Sequence, residues 1–359
     1  MKKLRVCPAN DTFGALNLML ELLEGNCAGY ISPPEVNGIP PQIAVPAEVA
    51  DDVGLIVESS GSTGTPKRIE LSVEALRHSG LAAIERLGGP GQWLLALTPQ
   101  FIAGANVLIR SVLSDTQPVI MNTQVPFTTE AFVRGASLLE GERRYTSLVP
   151  AQLQRIAAEV DSDAFLFSTL RKFDAILVGG QASDFSLVEG LRARGLNIVL
   201  SYGMAETAGG CVYDGLPLSG VGIEIIDGKI AVSGPVLANG FGTSYLSNDL
   251  GEMVDGKLHV IGRADRVIVS GGLKVSLERV EEAALEIAGV DGVVACALES
   301  EWGESVGIVY SGSPEVSFAQ LSEAISPAAK PKRVLRVDEI PRLPSGKPDL
   351  VASAELLAD

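Results

Sequence analysis

Histidine and cysteine are scarce in this chain of 359 residues. The two histidines, His78 and His259, lie far apart, so histidine-dependent catalytic triads and multi-histidine metal sites lack material. The cysteines Cys7, Cys27, Cys211 and Cys296 form no Cys-x-x-Cys pair. That disfavours a zinc knuckle or a dithiol redox motif and fits a reducing compartment better than a disulfide scaffold. No apolar run reaches the ~18 residues of a membrane span. The basic start Met1–Arg5 continues into Val6-Cys7-Pro8-Ala9-Asn10, which is no leader core, and the run Phe13–Leu20 stops at Glu21. A soluble cytoplasmic protein is expected. Basic charge is also short: 28 Lys and Arg against 44 Asp and Glu leave a net charge of −16. That balance argues against nucleic-acid binding and against an anionic membrane surface. A small local cationic site for a phosphate remains compatible with it.

Apolar residues make up 46% of the chain and charged residues 20%, enough for a full-sized core. At roughly 150 residues per domain the length predicts about two domains. Strand-like and helix-like stretches alternate up to about residue 215. Strands are expected at 54–58, 93–97, 119–121, 175–178 and 198–200, and helices at 72–87, 105–113, 150–160 and 185–194. This alternation predicts an α/β domain with a largely parallel sheet. Short strands separated by Asp227-Gly228 and Asp255-Gly256 then predict a small antiparallel β region. From Arg266 the pattern reads as a compact α+β unit, with helices at 277–287 and 318–325 and a boundary near Gly262–Asp265.

The most distinctive segment is Ser59-Ser60-Gly61-Ser62-Thr63-Gly64-Thr65-Pro66-Lys67. Glycines let a backbone wrap an anion closely, free N–H groups and hydroxyls donate to it, and the lysine adds charge. The spacing is not that of G-x-x-x-x-G-K-[ST], nor does a G-x-G-x-x-G open a helix anywhere, so a P-loop NTPase and a nicotinamide dehydrogenase are disfavoured.

This loop resembles the phosphate loop of the adenylate-forming superfamily, which includes acyl-CoA synthetases and firefly luciferase. Four further segments match in order. Ser201–Glu206 resembles the Y-G-x-T-E segment, Asn248-Asp249 the ribose-binding aspartate, Gly262–Gly272 the hinge segment, and Pro344-Ser345-Gly346-Lys347 the carboxyl-terminal lysine loop. More finely, Thr146–Arg155 resembles a stretch of the o-succinylbenzoate–CoA ligases of menaquinone biosynthesis, Ala205–Gly215 is similar to their short actinobacterial forms, and the modest length agrees with compact members.

The resemblance implies a large N-terminal adenylation domain, 1–264, and a small mobile C-terminal cap, 265–359. It implies ATP, Mg²⁺ and CoA as cofactor and co-substrates, with a small-molecule carboxylate as the other partner. No nucleic acid and no membrane insertion are expected, and a homodimer is the assembly considered. The implied site residues follow the matched motifs. Lys347, Lys67 and Glu206 would serve catalysis, Glu206 also holding the metal. Ser59–Thr65 and Lys67 would hold phosphates, while Gly180, Gln181, Ala182, Tyr202, Gly203, Asp249 and Arg263 would hold the nucleoside. Gly271 would line the pantetheine tunnel, although a simple turn also explains Gly271-Gly272. Asp265 would be the pivot, or merely an ion-pair partner of Arg263 or Arg266. Ser147, Gln152 and Arg155 are candidates for the dicarboxylate, with Arg155 the best carboxylate partner and equally an ordinary surface arginine of its helix. Three positions depart from the family: Ala205 replaces the threonine, Phe101 stands where relatives commonly carry histidine, and Arg68 replaces the glycine after the loop lysine. Lower activity or an altered acyl preference is expected from them.

Overall fold

The computed structural model describes residues 1–37, 39, 41, 44–59, 67–180, 185–300, 303–343 and 347–358. The chain divides into two compact units. The larger comprises Met1–Glu224, Ala231–Leu246 and Met253–Leu258, and the smaller comprises Ile225–Ile230, Ser247–Glu252 and His259–Asp359.

The first layer of the large unit contains β1 (Lys2–Pro8), α1 (Thr12–Leu23), β2 (Ala28–Ser32), β3 (Glu48–Val49), β4 (Val53–Ser59), β5 (Lys67–Ser72) and α2 (Val73–Arg86). The strand order is β3-β1-β2-β4-β5, with β1, β2 and β4 parallel and both edge strands antiparallel. The basic amino-terminal stretch is thus a strand that buries Leu4 and Cys7 and leaves Lys3 and Arg5 outside. Helix α2 begins where the Ser72 hydroxyl accepts the Ala75 N–H at 3.0 Å, with Glu74 in the first turn and Arg86 in the last. It buries Leu76, Ser79, Gly80 and Ala83, one face of a 3.6-residue period.

The second sheet is built from β6 (Gln92–Leu95), α3 (Ile102–Leu113), β7 (Val119–Ile120), α4 (Thr129–Ala136), β8 (Arg144–Leu148), α5 (Pro150–Glu159), α6 (Ala164–Leu170), β9 (Ala175–Gly179), α7 (Phe185–Ala193), β10 (Ile198–Met204), β11 (Gly209–Tyr213) and β12 (Leu216–Pro217). Its order is β12-β11-β10-β9-β8-β6-β7, parallel from β10 to β7 and antiparallel at β11 and β12. Helix α3 is buried on every side over Gly104–Ser111, so it lies within the core beside Trp93, Tyr145 and Leu177.

Next come β13 (Gly222–Ile226), β14 (Lys229–Ser233), β15 (Ser244–Val254) and β16 (Lys257–Arg263), neighbours in that order. Both Asp-Gly turns have positive φ at each residue (50° and 80°, 50° and 76°), the geometry that joins antiparallel strands with two residues. The expected antiparallel region is present.

The small unit continues with β17 (Val267–Ser270), β18 (Leu273–Ser276), α8 (Leu277–Leu285), β19 (Val290–Ser300), β20 (Gly303–Gly312), α9 (Leu321–Ala324), β21 (Arg333–Arg336) and α10 (Leu350–Ala358). Strands run in the order β18-β17-β20-β19, and β21 pairs parallel to β20. Val280, Ala295, Ile308 and Leu321 form its own core. The helix expected at 318–325 is confined to Leu321–Ala324. Ser326 precedes Pro327 and is fully extended, because a residue before proline is driven out of the helical region. Among the described residues no helix is long and apolar enough to cross a membrane. The α/β class, with mostly parallel sheets in the large part and a small α+β part after it, agrees with the sequence reading.

Candidate functional site

Three adjacent parallel strands, β8, β9 and β10, end on one edge of the second sheet. Their register pairs Leu148 with Val178 and Gly179 with Ser201. The carboxyl ends of parallel strands are the usual ligand position in an open α/β sheet. The residues at this edge are small by necessity. A Cβ on Gly179 would meet the Ser201 carbonyl oxygen at 2.5 Å, and one on Gly203 would meet the Gly209 oxygen at 2.1 Å. Gly180 has open space beside it but φ +86°, which an L side chain rarely adopts. Gly180 follows Gly179 at the end of β9, and Tyr202 and Gly203 follow its register partner Ser201 on β10, with Tyr202 half-buried. Gln181 and Ala182 lie outside the described residues.

After β10 the chain makes a short 3₁₀ turn, Ala205–Thr207, that carries the half-buried Glu206. Thr207 is fully buried, and its hydroxyl accepts the Met204 N–H at 3.0 Å and donates to the Gly209 carbonyl at 2.8 Å. That hydroxyl staples the turn, so it does not replace the threonine missing at Ala205. Ala208 follows in left-handed geometry (φ 51°, ψ 33°). Its carbonyl accepts from the Ser79 hydroxyl at 3.0 Å and from the Asn106 amide at 2.9 Å.

The phosphate segment departs from the simple strand–loop–helix expectation. Ser59 pairs with Lys67 and Glu58 with Arg68, so β4 and β5 form an antiparallel hairpin whose connection is 60–66. Ser60, Gly61, Ser62, Thr63, Gly64 and Thr65 lie outside the described residues. Lys67 opens β5. Arg68 belongs to the strand: it donates to the Ala44 carbonyl at 2.8 Å and sits 3.6 Å from Glu58, which accepts the Tyr30 hydroxyl at 2.8 Å. Burial and the neighbouring Glu58 push the Tyr30 phenol well above its ordinary range. Two residues that sequence reasoning missed tie this hairpin to the Glu206 turn. Ala238 N–H donates to the Glu206 carbonyl at 2.9 Å and Asn239 N–H to the Glu70 carbonyl at 2.8 Å. The only signal was a Gly/Pro/Asn-rich stretch, Gly234–Gly240.

Of the substrate candidates, Ser147 is buried on β8. Gln152 caps α5: its Oε1 accepts the Val149 N–H at 3.0 Å, and its Nε2 donates to the Ala96 carbonyl at 3.0 Å. Arg155 is exposed and donates to the Phe127 carbonyl at 2.8 Å. Phe101 sits half-buried just before α3 and offers no side-chain cap.

In the small unit, Asp249 and Arg263 meet at 3.4 Å. The same guanidinium grips Asp265 with two bonds, Nε to Oδ1 at 2.8 Å and Nη2 to Oδ2 at 2.5 Å. These bonds hold the Asp265 carboxyl below its ordinary value and raise Arg263 further. Asp265 is thus the ion-pair partner of Arg263. Glu278 accepts the Arg263 backbone N–H at 2.6 Å, and buried Arg266 pairs with half-buried Glu281. Burial raises both glutamates. Gly271 and Gly272, φ 56° and 81°, form the two-residue turn of the β17–β18 hairpin with open space around both. Lys347 closes a small loop in which its carbonyl accepts the Leu343 N–H at 2.8 Å. Pro344, Ser345 and Gly346 lie outside the described residues.

The sequence profile of the AMP-binding enzyme family matches residues 16–239. A protein of Mycobacterium tuberculosis described as "Probable 2-succinylbenzoate–CoA ligase" is 35% identical, over 98% of this chain and 97% of its own length. The 2-succinylbenzoate–CoA ligase of Lactococcus lactis is 25% identical over 86% of this chain and 72% of its own. Among solved structures, the O-succinylbenzoate coenzyme A synthetase of Bacillus subtilis in complex with AMP superposes with a TM-score of 0.73 at 21% identity, covering 93% of this chain and 79% of that one. The chain belongs to the AMP-binding enzyme family. Its relatives at full length are acid–thiol ligases by name.

Proposed function

We infer that this protein is a 2-succinylbenzoate–CoA ligase, an acid–thiol ligase of menaquinone biosynthesis. It converts o-succinylbenzoate, ATP and CoA into o-succinylbenzoyl-CoA, AMP and pyrophosphate. The observation that carries the reading is the end-to-end match to the M. tuberculosis relative, 35% identical with both chains almost fully covered. Gly180, at the end of β9 with open space beside it, supports it, because a flat nucleobase needs backbone without side chains in its way.

In the first half-reaction a carboxylate oxygen of the substrate attacks the α-phosphorus of ATP. The bond to the bridging oxygen breaks, and pyrophosphate leaves with its electron pair. In the second, the CoA sulfur attacks the acyl carbon, gives up its proton, and AMP departs. Bringing two anions together is the barrier, so charge neutralisation and alignment carry the catalysis. Lys347 supplies the cation at the reacting phosphate in the first half, and Ser59–Lys67 holds the pyrophosphate portion. Tyr202 stacks on adenine, while Asp249 and Arg263 bind the ribose. Arg155 takes the second carboxylate, and Ser147 is a further substrate residue. The domain from 265 to 359 then turns about Asp265 to admit the thiol past Gly271. Among the described residues no group of three or more His, Cys, Asp or Glu could hold a metal. A lone carboxylate, Glu206, fits Mg²⁺, which keeps phosphates and waters as its other ligands. Bound there, the ion would screen phosphate charge. The protein works in the cytoplasm on small molecules, and sedimentation would show whether it is a homodimer.

A pyrophosphate-release assay over a panel of carboxylates tests the reading. The expected result is ATP-, Mg²⁺- and CoA-dependent thioester formation with o-succinylbenzoate far above the rest. No product with that substrate would sink it. One observation favours a second reading, ligation of an aryl acid lacking the second carboxyl: Arg155 already spends a guanidinium N–H on the Phe127 carbonyl. A monocarboxylate that outruns o-succinylbenzoate in the panel would establish that reading.

A further inference from the structure

The turn that presents Glu206 is held by two buried side chains from helices that carry no other assigned role. Ser79 lies on α2 and Asn106 on α3, at 0% and 1% exposure. Both aim their hydrogen at one acceptor, the Ala208 carbonyl. Ala208 is a non-glycine residue in left-handed geometry, two residues after Glu206. Such a conformation persists only where the surroundings over-determine it.

Asn106 shows what its position retains. Its Oδ1 is buried and has no hydrogen-bond partner among the described residues. An unsatisfied buried acceptor is costly, and a leucine of similar size would avoid the cost. The amide is present for its donating end. Gly209 gives the same indication, because a Cβ there would meet Asn106 Nδ2 at 2.2 Å. The backbone after Ala208 is thus shaped around this amide.

We propose that Ser79 and Asn106 are positioning residues for Glu206: through the Ala208 carbonyl they fix the turn that aims its carboxylate, and so set how readily the site takes Mg²⁺. Ala238 and Thr207 hold the turn at the Glu206 carbonyl and the Met204 N–H, and the two side chains complete its anchoring on the Ala208 side. The proposal rests on the reading of Glu206 as the Mg²⁺ carboxylate.

The tests are Mg²⁺ binding by the full chain with a non-hydrolysable ATP analogue, read by calorimetry, and pyrophosphate release titrated with Mg²⁺ at saturating ATP and carboxylate. Ser79→Ala and Asn106→Leu should each raise the half-saturating Mg²⁺ concentration by about fivefold. The carboxylate KM and the rate at saturating Mg²⁺ should stay near those of the parent. Glu206→Gln should raise the Mg²⁺ requirement further, and adding Asn106→Leu to it should produce no additional shift. A uniform loss of rate at every Mg²⁺ concentration, or full additivity with Glu206→Gln, would mean a merely structural role and overturn the proposal. If Glu206→Gln leaves the Mg²⁺ curve in place, the carboxylate reading falls and the proposal with it. If that variant moves the curve while Ser79→Ala and Asn106→Leu do not, positioning alone falls. Should Asn106→Leu fail to fold, Ser79→Ala decides, since it removes a donor to the same carbonyl.

Discussion

The two units hold their candidate residues by opposite means. In the large unit the glycine-rich sheet edge is shaped by missing side chains and backbone bonds: Gly179 against Ser201, Gly203 against Gly209, Ala208 held by Ser79 and Asn106. In the small unit the segment around Asp265 is held by charge, with Arg263 shared between Asp249 and Asp265, and Arg266 between Glu278 and Glu281. Close packing has one arrangement and resists displacement. The partly exposed pairs of Arg263 are individually weak and can exchange partners, whereas Arg266 is buried beside its half-buried glutamates. A preorganised cradle suits the first design, and an element that turns suits the second.

Four experiments would break or sharpen that contrast. Lys347→Ala should cut adenylation by about 10²–10³-fold and spare thioester formation from supplied acyl-adenylate. Equal loss of both halves would refute a two-state small domain. Gly203→Ala should destabilise the large unit by about 1–3 kcal/mol, because the Gly209 backbone has nowhere to go, and should impair both half-reactions. Thermal melting with ATP binding reads both, and a neutral result would deny the crowding. Gln152→Ala should lower stability by about 1 kcal/mol through the lost cap, with an unchanged KM for the carboxylate. A KM rise at constant stability would make Gln152 a substrate contact instead. The smallest effect concerns pH. Arg263 holds the Asp265 carboxyl below its ordinary value in the folded chain. The stabilisation from this pair is therefore fully present above about pH 4 and is lost as pH falls through the depressed folded value. Melting curves of Asp265→Asn and the parent should converge on acidification from pH 5 to 3, and a constant gap would dismiss the pair.

Helix caps and hairpin turns were legible where a local rule governs them. Ser72 as a cap and both Asp-Gly turns need only neighbouring residues, and the structure has them as read. The amino-terminal strand was hidden because Lys2, Lys3 and Arg5 mask the two residues it buries, and its pairing partner lies more than twenty residues away. β5 was hidden behind the loop it closes, although Ile69 and Leu71 alternate with Arg68 and Glu70. Side-chain use was less legible still. Nothing in the sequence distinguishes a Gln152 that caps a helix from one that meets a substrate, nor a Thr207 that staples a turn from one that meets a phosphate. Those differences depend on where Ala96 and Gly209 arrive in space.

The crowding at Gly179, Gly203 and Gly210 also bears on inheritance. A Cβ on Gly210 would meet the Ser201 hydroxyl at 2.1 Å, just as the other two would meet backbone. Strands β9, β10 and β11 therefore cannot accept a larger residue at one of these positions while the others stand still. A lineage can alter Ser201 to relieve Gly210, since a side chain can shrink. It has no such escape at Gly179 or Gly203, where the obstacle is a carbonyl common to every amino acid. Drift at this edge is confined to the residues around the glycines, so their side chains can change while the path of the backbone stays fixed.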